Sequence, residues 1–404
     1  MTGRSFARAM VGLLAVLLCV LAAGAQTAPL APGTVGSVQL YNGGTCPSDF
    51  WSPGPSNPPV CYNAIMTCAN ETTTPNLNFI YSYVTPSPTL KGTVVLLTGG
   101  GGMLADVHYL DRFARDYYYA NYEVVQIAWE MTNWEQTVSD GVHPPPGILT
   151  AACRPAGFLN YVLNTPLLNA RSVNPFNGLC AHALSAGAGA VGYSLVWYGD
   201  QNLNYLSTDY DNVELTSGPV FGDIKLGCQF PPPASPYTVI CGAGQYGCSS
   251  GTTAWSNNPA YIGTDLRWVQ GWTGNLTPAC NNGSQSTAAN DPSWKAMSIV
   301  TGTGGNFSYP NLGMAGWLCA SSVPCNPYQC PNNSAAQGEQ FFNQFTSKAQ
   351  VAGYNLTGIA LCKDAEGVED GYDPDNCTVG VNCPTGEAAI VAHMQQQCKH
   401  PTPH

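Results

Sequence analysis

The sequence predicts an α/β protein in which helices cover both faces of a mostly parallel β-sheet, with a disulfide-rich cap or insertion added. Two short segments are apolar almost throughout, as strands buried inside a parallel sheet should be, at residues 92–98 and 122–129. Segments with helical periodicity alternate with them, at residues 104–118 and 148–163. Strands that alternate with helices at this spacing are typical of parallel βαβ units.

The alternation extends on both sides of this block. Residues 78–84 alternate between apolar and polar side chains, which predicts a strand before the block. After it we expect strands at residues 212–220, 294–301 and 355–362, and helices at residues 335–349 and 386–398. Together these elements complete the predicted sheet and its covering helices.

Composition divides the chain into regions. Residues 224–293 lack periodicity and are rich in Gly, Pro, Asn, Trp and Cys, so we assign them to the cap or insertion. The α/β core is then expected in residues 78–223 and 294–404. Residues 26–77 form an N-terminal extension, predicted to be irregular over residues 26–75 and held by Cys46, Cys61 and Cys68.

The first 25 residues have the features of a secretory signal peptide. Arg4 and Arg8 precede an apolar run from Met10 to Ala23, and small residues follow it. The run is short for a membrane span, so we expect cleavage after Ala25 and no span in the mature protein. The expected location is extracellular or periplasmic.

Cysteine content and charge agree with export. Of the 17 cysteines, only Cys19 falls in the signal segment, and the even number that remains is typical of a disulfide framework. A zinc site at Cys325 and Cys330 is the weaker alternative, so we expect neither a metal nor a cofactor. The 13 basic residues face 24 acidic ones, which disfavours nucleic acid and anionic membranes as partners.

The strongest functional signal lies in residues 178–199. An apolar segment leads into a small-residue turn that carries Ser185, and a predicted amphipathic helix follows. Ala183 and Gly187 leave room for a sharp strand-to-helix turn, which would expose the serine hydroxyl near a helix N-terminus. The pattern is Ala-x-Ser-x-Gly, whereas the usual nucleophile turn has glycine at both positions. Close packing of a helix on a strand would use the same small residues.

A second signal is the glycine turn, defined here as the four glycines 99–102, which directly follow a predicted buried strand. Without Cβ atoms, their N–H groups are free to turn into a cavity. Gly100 or Gly101, together with the N–H of Ala186, would form an oxyanion hole worth about 3–4 kcal/mol to an acyl-transfer transition state. A phosphate-binding loop is the rival, but the sequence that follows matches neither nucleotide motif. A plain flexible turn is the third alternative.

In this order of parts the chain resembles the α/β-hydrolase superfamily over roughly residues 78–400. The shared parts are the glycine turn after a strand, the Ala-Leu-Ser-Ala-Gly turn, the following strand Val-Glu-Leu-Thr-Ser-Gly-Pro, and a terminal strand, loop and helix. The resemblance implies a serine esterase or lipase with Ser185 as nucleophile and carboxylic esters as substrates, small or polymeric.

The base of such an enzyme is missing from its expected position. No carboxylate follows the predicted strand 294–301, where Asn306 stands, and Ala365 occupies roughly the place of the family's histidine. A serine hydroxyl without a base at hydrogen-bond distance is a weak nucleophile. His108, after the glycine turn, is the nearest substitute base, and Asp223 is the candidate acid.

Of the other histidines, His143 is expected in a loop from which it could reach a cleft, and the rest are expected to have no catalytic role. His182 should pack into the core, because it lies three residues before Ser185 on the same strand. His393 should be solvated on the closing helix, and His400 should belong to a tail. Because the usual base is missing, a non-catalytic ligand- or partner-binding protein on a degenerate hydrolase scaffold remains the alternative.

Overall fold

The computed structural model describes residues 31–69, 76–86, 89–99, 102–130, 134, 152–184, 186–198, 210–216, 312–317, 350–354 and 383–400. Within them, nine strands form one sheet: β1 (Thr34–Thr45), β2 (Val60–Thr67), β3 (Asn76–Val84), β4 (Gly92–Leu97), β5 (Tyr122–Trp129), β6 (Gly178–Leu184), β7 (Asn212–Thr216), β8 (Gly313–Trp317) and β9 (Gln350–Tyr354). Their order across the sheet is β1-β2-β3-β5-β4-β6-β7-β8-β9. The first three pairings are antiparallel and the five from β5 to β9 are parallel.

Helices cover both faces of this sheet. The described helices are α1 (Asp111–Tyr119), α2 (Cys153–Asn164), α3 (Ala186–Tyr198) and α4 (Cys383–Gln397), with short 3-10 segments at Leu104–Leu110 and Ala170–Ser172. On β4, Val95 packs in one core with α2 and α3, whereas Val94 packs in a second core with α1 and α4. Successive strand residues point to opposite faces, so the two cores lie on opposite sides of the sheet. The predicted fold class is confirmed.

The parallel strands before residue 220 follow the predicted pattern closely. β4 and β5 are buried at every position, which explains why they appear in the sequence as continuous apolar runs. The helix predicted at residues 104–118 is instead divided into the 3-10 segment Leu104–Leu110 and α1. The predicted helix at residues 148–163 corresponds to α2.

The N-terminal extension is not irregular, and this prediction was wrong. Residues 26–75 include β1 and β2, which add two antiparallel strands to the edge of the sheet. Their pattern is hard to recognise because β1 is largely exposed and its pairing is interrupted by two register shifts. Its three cysteines do form disulfides, Cys46–Cys61 and Cys68–Cys153, and a third disulfide joins Cys180 to Cys398.

Several predicted elements lie outside the described residues. They are the strands at 294–301 and 355–362, the helix at 335–349 and the insertion at 224–293. The structure instead adds β8 and β9, which the sequence patterns did not indicate. Each has only five residues, and β8 contains two glycines, a residue type that is depleted in strands. None of the helices in the described part of the chain is both long and apolar enough to span a bilayer.

Candidate functional site

The connection between β6 and α3 is a single residue. β6 ends at Leu184 and α3 begins at Ala186, and Ser185 between them lies outside the described residues. A Cβ atom on Gly187 would lie 2.3 Å from the carbonyl oxygen of Leu97 and 2.8 Å from that of Thr98. The first turn of α3 therefore lies directly against the end of β4. Close packing alone requires a glycine at residue 187, whatever chemistry Ser185 performs.

The glycine turn begins beside this junction. Leu97, the last residue of β4, pairs with Ala183 near the end of β6, so the turn leaves the sheet where β6 ends. The N–H of Gly102 donates to the carbonyl of Gly99 across 2.8 Å and closes the turn. Gly102 has a φ of +72°, a conformation that favours glycine. Gly100 and Gly101, the central residues, lie outside the described part of the chain.

The amides of Gly102 and Met103, where the glycine turn ends, already have acceptors. The N–H of Gly102 is bonded to Gly99, as above, and the N–H of Met103 donates to Oδ2 of Asp106 across 3.2 Å. Neither amide is free to bind a ligand. If this turn forms an oxyanion hole, its donors must come from positions before Gly102, which keeps Gly100 and Gly101 as the predicted donors.

The predicted base lies on the surface. His108 is exposed on the 3-10 segment after the glycine turn, and its ring centroid is 4.2 Å from that of Tyr109. Burial raises the pKa of the nearby Asp106, while a hydrogen bond from Met103 and the charge of His108 act in the opposite direction. Asp223, the predicted acid, lies outside the described residues, so its role stays a prediction.

His182 is a buried structural residue, as its position predicts. Its Nδ1 is 2.8 Å from the Tyr117 hydroxyl and its Nε2 is 3.1 Å from Oγ1 of Thr216. Because Thr216 donates its own hydrogen to the carbonyl of Ala183, it accepts from Nε2–H, and Tyr117 donates to Nδ1. Burial lowers the pKa of His182 to about 3, so the ring is neutral at neutral pH.

His393 is not solvated, and this prediction was wrong. Its side chain is only 16% exposed, and its Nδ1 lies 2.5 Å from Oε1 of Glu214 on β7. The Glu214 carboxylate is fully buried and also accepts hydrogen bonds from Trp317 Nε1 and Asn212 Nδ2. Burial of the His393 ring opposes its charge, but the hydrogen bond and charge of Glu214 outweigh this and raise the pKa of His393.

The sequence held one signal for this cluster. A glutamate inside a predicted strand of a sheet covered on both faces needs a partner, because a buried carboxylate is costly unless it is paired. The partner itself was not identifiable, since His393 is 179 positions away in the chain.

His400 is likewise not part of a free tail. Its Nδ1 lies 2.9 Å from Oδ1 of Asp211, and Arg171 donates to Oδ2 of the same carboxylate across 2.6 Å. Asp211 immediately precedes β7, so this cluster lies at the amino ends of the parallel strands. Glu214 pairs in register with His182, three positions before residue 185. His400, bonded to Asp211, therefore lies at the end of the sheet opposite to the edge where β6 ends.

Within the described residues, no group of three or more His, Cys, Asp or Glu side chains is arranged to hold a metal ion.

The described fold is similar to those of known lipases and esterases. A lipase/esterase from Lactobacillus plantarum is 12% identical, with 74% of this chain and 89% of that chain covered and a TM-score of 0.38. Carboxyl esterase 2 from the fungus Tuber melanosporum is 11% identical, with coverages of 87% and 92% and a TM-score of 0.44. Brefeldin A esterase, a bacterial homologue of human hormone sensitive lipase, is 14% identical, with coverages of 76% and 69% and a TM-score of 0.38.

The sequence matches no protein-family model and no curated protein. The described residues themselves form a mostly parallel sheet with helices on both faces.

Proposed function

We propose that the protein is a serine-dependent hydrolase of carboxylic esters. The observation that carries the proposal is the contact between the two sequence signals: the first turn of α3 packs on Leu97 and Thr98, from which the glycine turn departs. A nucleophile and its oxyanion donors must lie on either side of one carbonyl group. In this chain, Ser185 and the glycine turn follow strands that are direct neighbours in the sheet.

We assign roles to the residues as follows. Ser185 attacks the ester carbonyl, and the N–H groups of Ala186 and of Gly100 or Gly101 stabilise the oxyanion. His108 is the base that accepts the serine proton, and Asp223 is the acid that orients it. The assignment of His108 is supported by the other described histidines, because His182, His393 and His400 are each committed to partners inside the fold.

Turnover of p-nitrophenyl butyrate tests this proposal. Ser185→Ala should abolish turnover without changing the thermal unfolding temperature, because the nucleophile is lost while the fold is kept. Ser172→Ala is the matched control: Ser172 is exposed, its hydroxyl donates to the carbonyl of Pro166, and its loss should leave turnover unchanged. Full turnover by the Ser185 variant would remove this residue from the mechanism.

A non-catalytic binding protein is the second candidate function. It is supported by the same histidine contacts, because three of the four described histidines serve the fold and the fourth, His108, is exposed. In that case the wild-type protein would show no turnover. An ester analogue that resists hydrolysis would then raise the unfolding temperature of the wild type and of Ser185→Ala equally.

We also propose that the protein is exported and acts outside the cytoplasm, on small or polymeric esters and not on nucleic acid. The disulfides Cys46–Cys61, Cys68–Cys153 and Cys180–Cys398 support this location, because such bonds persist in oxidising compartments. N-terminal sequencing of the protein from the culture medium would test the predicted cleavage after Ala25.

A further inference from the structure

Asp106 forms hydrogen bonds to both limbs of the glycine turn. The first limb ends at Thr98, and the second limb consists of Gly102 and Met103. Its Oδ2 accepts the N–H of Met103 across 3.2 Å, and its own N–H donates to the Met103 carbonyl across 2.9 Å. Its backbone carbonyl accepts the hydroxyl of Thr98 across 2.6 Å. Thr98 precedes the turn and Met103 follows it, so this one residue connects the start of the turn to its end.

The neighbouring strand β5 holds the second limb from the other side. The N–H of Trp129 donates to the carbonyl of Gly102 across 2.7 Å, and Met103 pairs with Trp129 in a parallel bridge. A Cβ atom on Gly102 would lie 2.8 Å from Cδ1 of the Trp129 ring, so the backbone and the ring are in direct contact. The second limb is therefore enclosed between Trp129 and Asp106.

We propose that Asp106 is a positioning residue for ester hydrolysis, which acts by fixing Thr98 and Met103 and thereby the direction of the turn between them. The inference rests on the proposed function, since it assumes that the turn stabilises an oxyanion. An oxyanion hole is effective because its donors are held in place before the reaction. Asp106 uses its polar groups on the backbone and on Thr98, so it acts through the turn and not on the substrate.

The expected kinetic effect follows from this arrangement. Without the carboxylate, Met103 loses its acceptor and the second limb is held by β5 alone. A displacement of about 1 Å in a catalytic group lowers the rate by up to about 100-fold. Loosening the turn should lower kcat, because the oxyanion forms only in the transition state, and should leave KM nearly unchanged.

Three variants test the proposal with p-nitrophenyl butyrate as the probe. Asp106→Ala should lower kcat by about 10- to 100-fold with KM within about 3-fold of the wild type. Asp106→Asn keeps an oxygen that accepts from Met103, so its kcat should stay within about 3-fold. Asp116→Ala is the control, because Asp116 is an acidic residue of α1 whose contact with Arg115 is exposed. The kcat and KM of Asp116→Ala should match those of the wild type.

Amide hydrogen exchange gives a readout that does not depend on turnover. The Met103 amide should exchange faster in Asp106→Ala than in the wild type, while Asp106→Asn should keep its protection. If Asp106→Ala does not fold, Thr98→Val removes the other bond of Asp106, and Thr98→Ser restores it. The valine variant should then show the loss of kcat and the serine variant should not.

The possible outcomes separate the two proposals. If the wild type hydrolyses the ester and Asp106→Ala keeps its full kcat, the positioning role is refuted and the proposed function stands. An equal loss of kcat in Asp106→Ala and Asp106→Asn would also refute it, because the asparagine keeps an oxygen that accepts from Met103. If the wild type shows no turnover, the proposed function fails, and the positioning role fails with it.

Discussion

A buried glutamate should make the stability of this protein depend on pH. Glu123, the second residue of β5, is 3% exposed, and its carboxylate accepts the hydroxyls of Thr85 and Thr93 at 2.7 and 3.2 Å. Burial raises the pKa of Glu123 from 4.5 to about 7, and the two hydrogen bonds only partly oppose this. The folded protein therefore keeps this proton at pH values where the unfolded chain has lost it.

The sign and size of the effect follow from proton linkage. Because the folded-state pKa of Glu123 is the higher one, the folded state is favoured most at low pH. This stabilisation of the folded state is lost progressively as the pH rises from about 4.5 to about 7. Each pKa unit corresponds to 1.36 kcal/mol, so Glu123 should remove about 3 kcal/mol of stability over this interval.

Glu123→Gln isolates this contribution. Glutamine has nearly the same shape but does not titrate, so its substitution should remove the pH dependence that Glu123 causes. Urea unfolding of both proteins between pH 4.5 and 8 gives the measurement. The wild type should become less stable relative to the variant by about 3 kcal/mol as the pH rises.

Glu387 also makes the stability of the wild type depend on pH. The quantity to compare is therefore the difference in unfolding free energy between the wild type and Glu123→Gln. Burial, followed by interactions with Asp116, also raises the pKa of Glu387, and this group titrates in both proteins. Its effect cancels in the difference, and Glu387→Gln provides a separate control. A difference between wild type and Glu123→Gln that stays constant with pH would refute the reasoning, because Glu123 would then be ionised in the fold.

Two further predictions concern Gly187 and His393. Gly187→Ala should destabilise the protein by about 1–3 kcal/mol, because the new methyl group would overlap the carbonyl of Leu97. Gly36→Ala is its control, since a Cβ there meets nothing within 4 Å, and equal changes in thermal unfolding would contradict the packing account. His393→Ala should destabilise by about 3 kcal/mol, because Glu214 would be left buried without its partner. Because the pKa of His393 is raised, the loss of stability should be greatest below pH 6.5 and should become smaller as the pH rises through that pKa. Equal losses of unfolding free energy in denaturant at pH 6 and pH 9 would contradict the ion pair.

The parts of the fold that were predictable are those that local sequence determines. β4 and β5 lie between neighbouring strands and under helices on both faces, so nearly every residue must be apolar, and the pattern is visible in a short window. Gly187 was recognised as a small residue required by a tight turn, and the structure shows the carbonyl groups that require it. Both features leave a pattern that is visible in a short window of the sequence.

The parts that were missed depend on contacts between distant segments. The role of His393 is set by Glu214, which the folded chain brings to it from another region, and the sequence around His393 has no feature that indicates this contact. β1 was missed for a different reason. Its exposed edge position removes the apolar alternation, and Ser37 and Asn42 adopt positive φ values that interrupt the strand.

The most direct test of the account is whether Ser185 is chemically activated. Intact wild-type protein should react with a fluorophosphonate in a one-to-one ratio, and mass spectrometry of its peptides should locate the adduct on Ser185. Unreactive protein across pH 6 to 9, with its circular dichroism unchanged, would contradict the account and favour a scaffold that binds without catalysing.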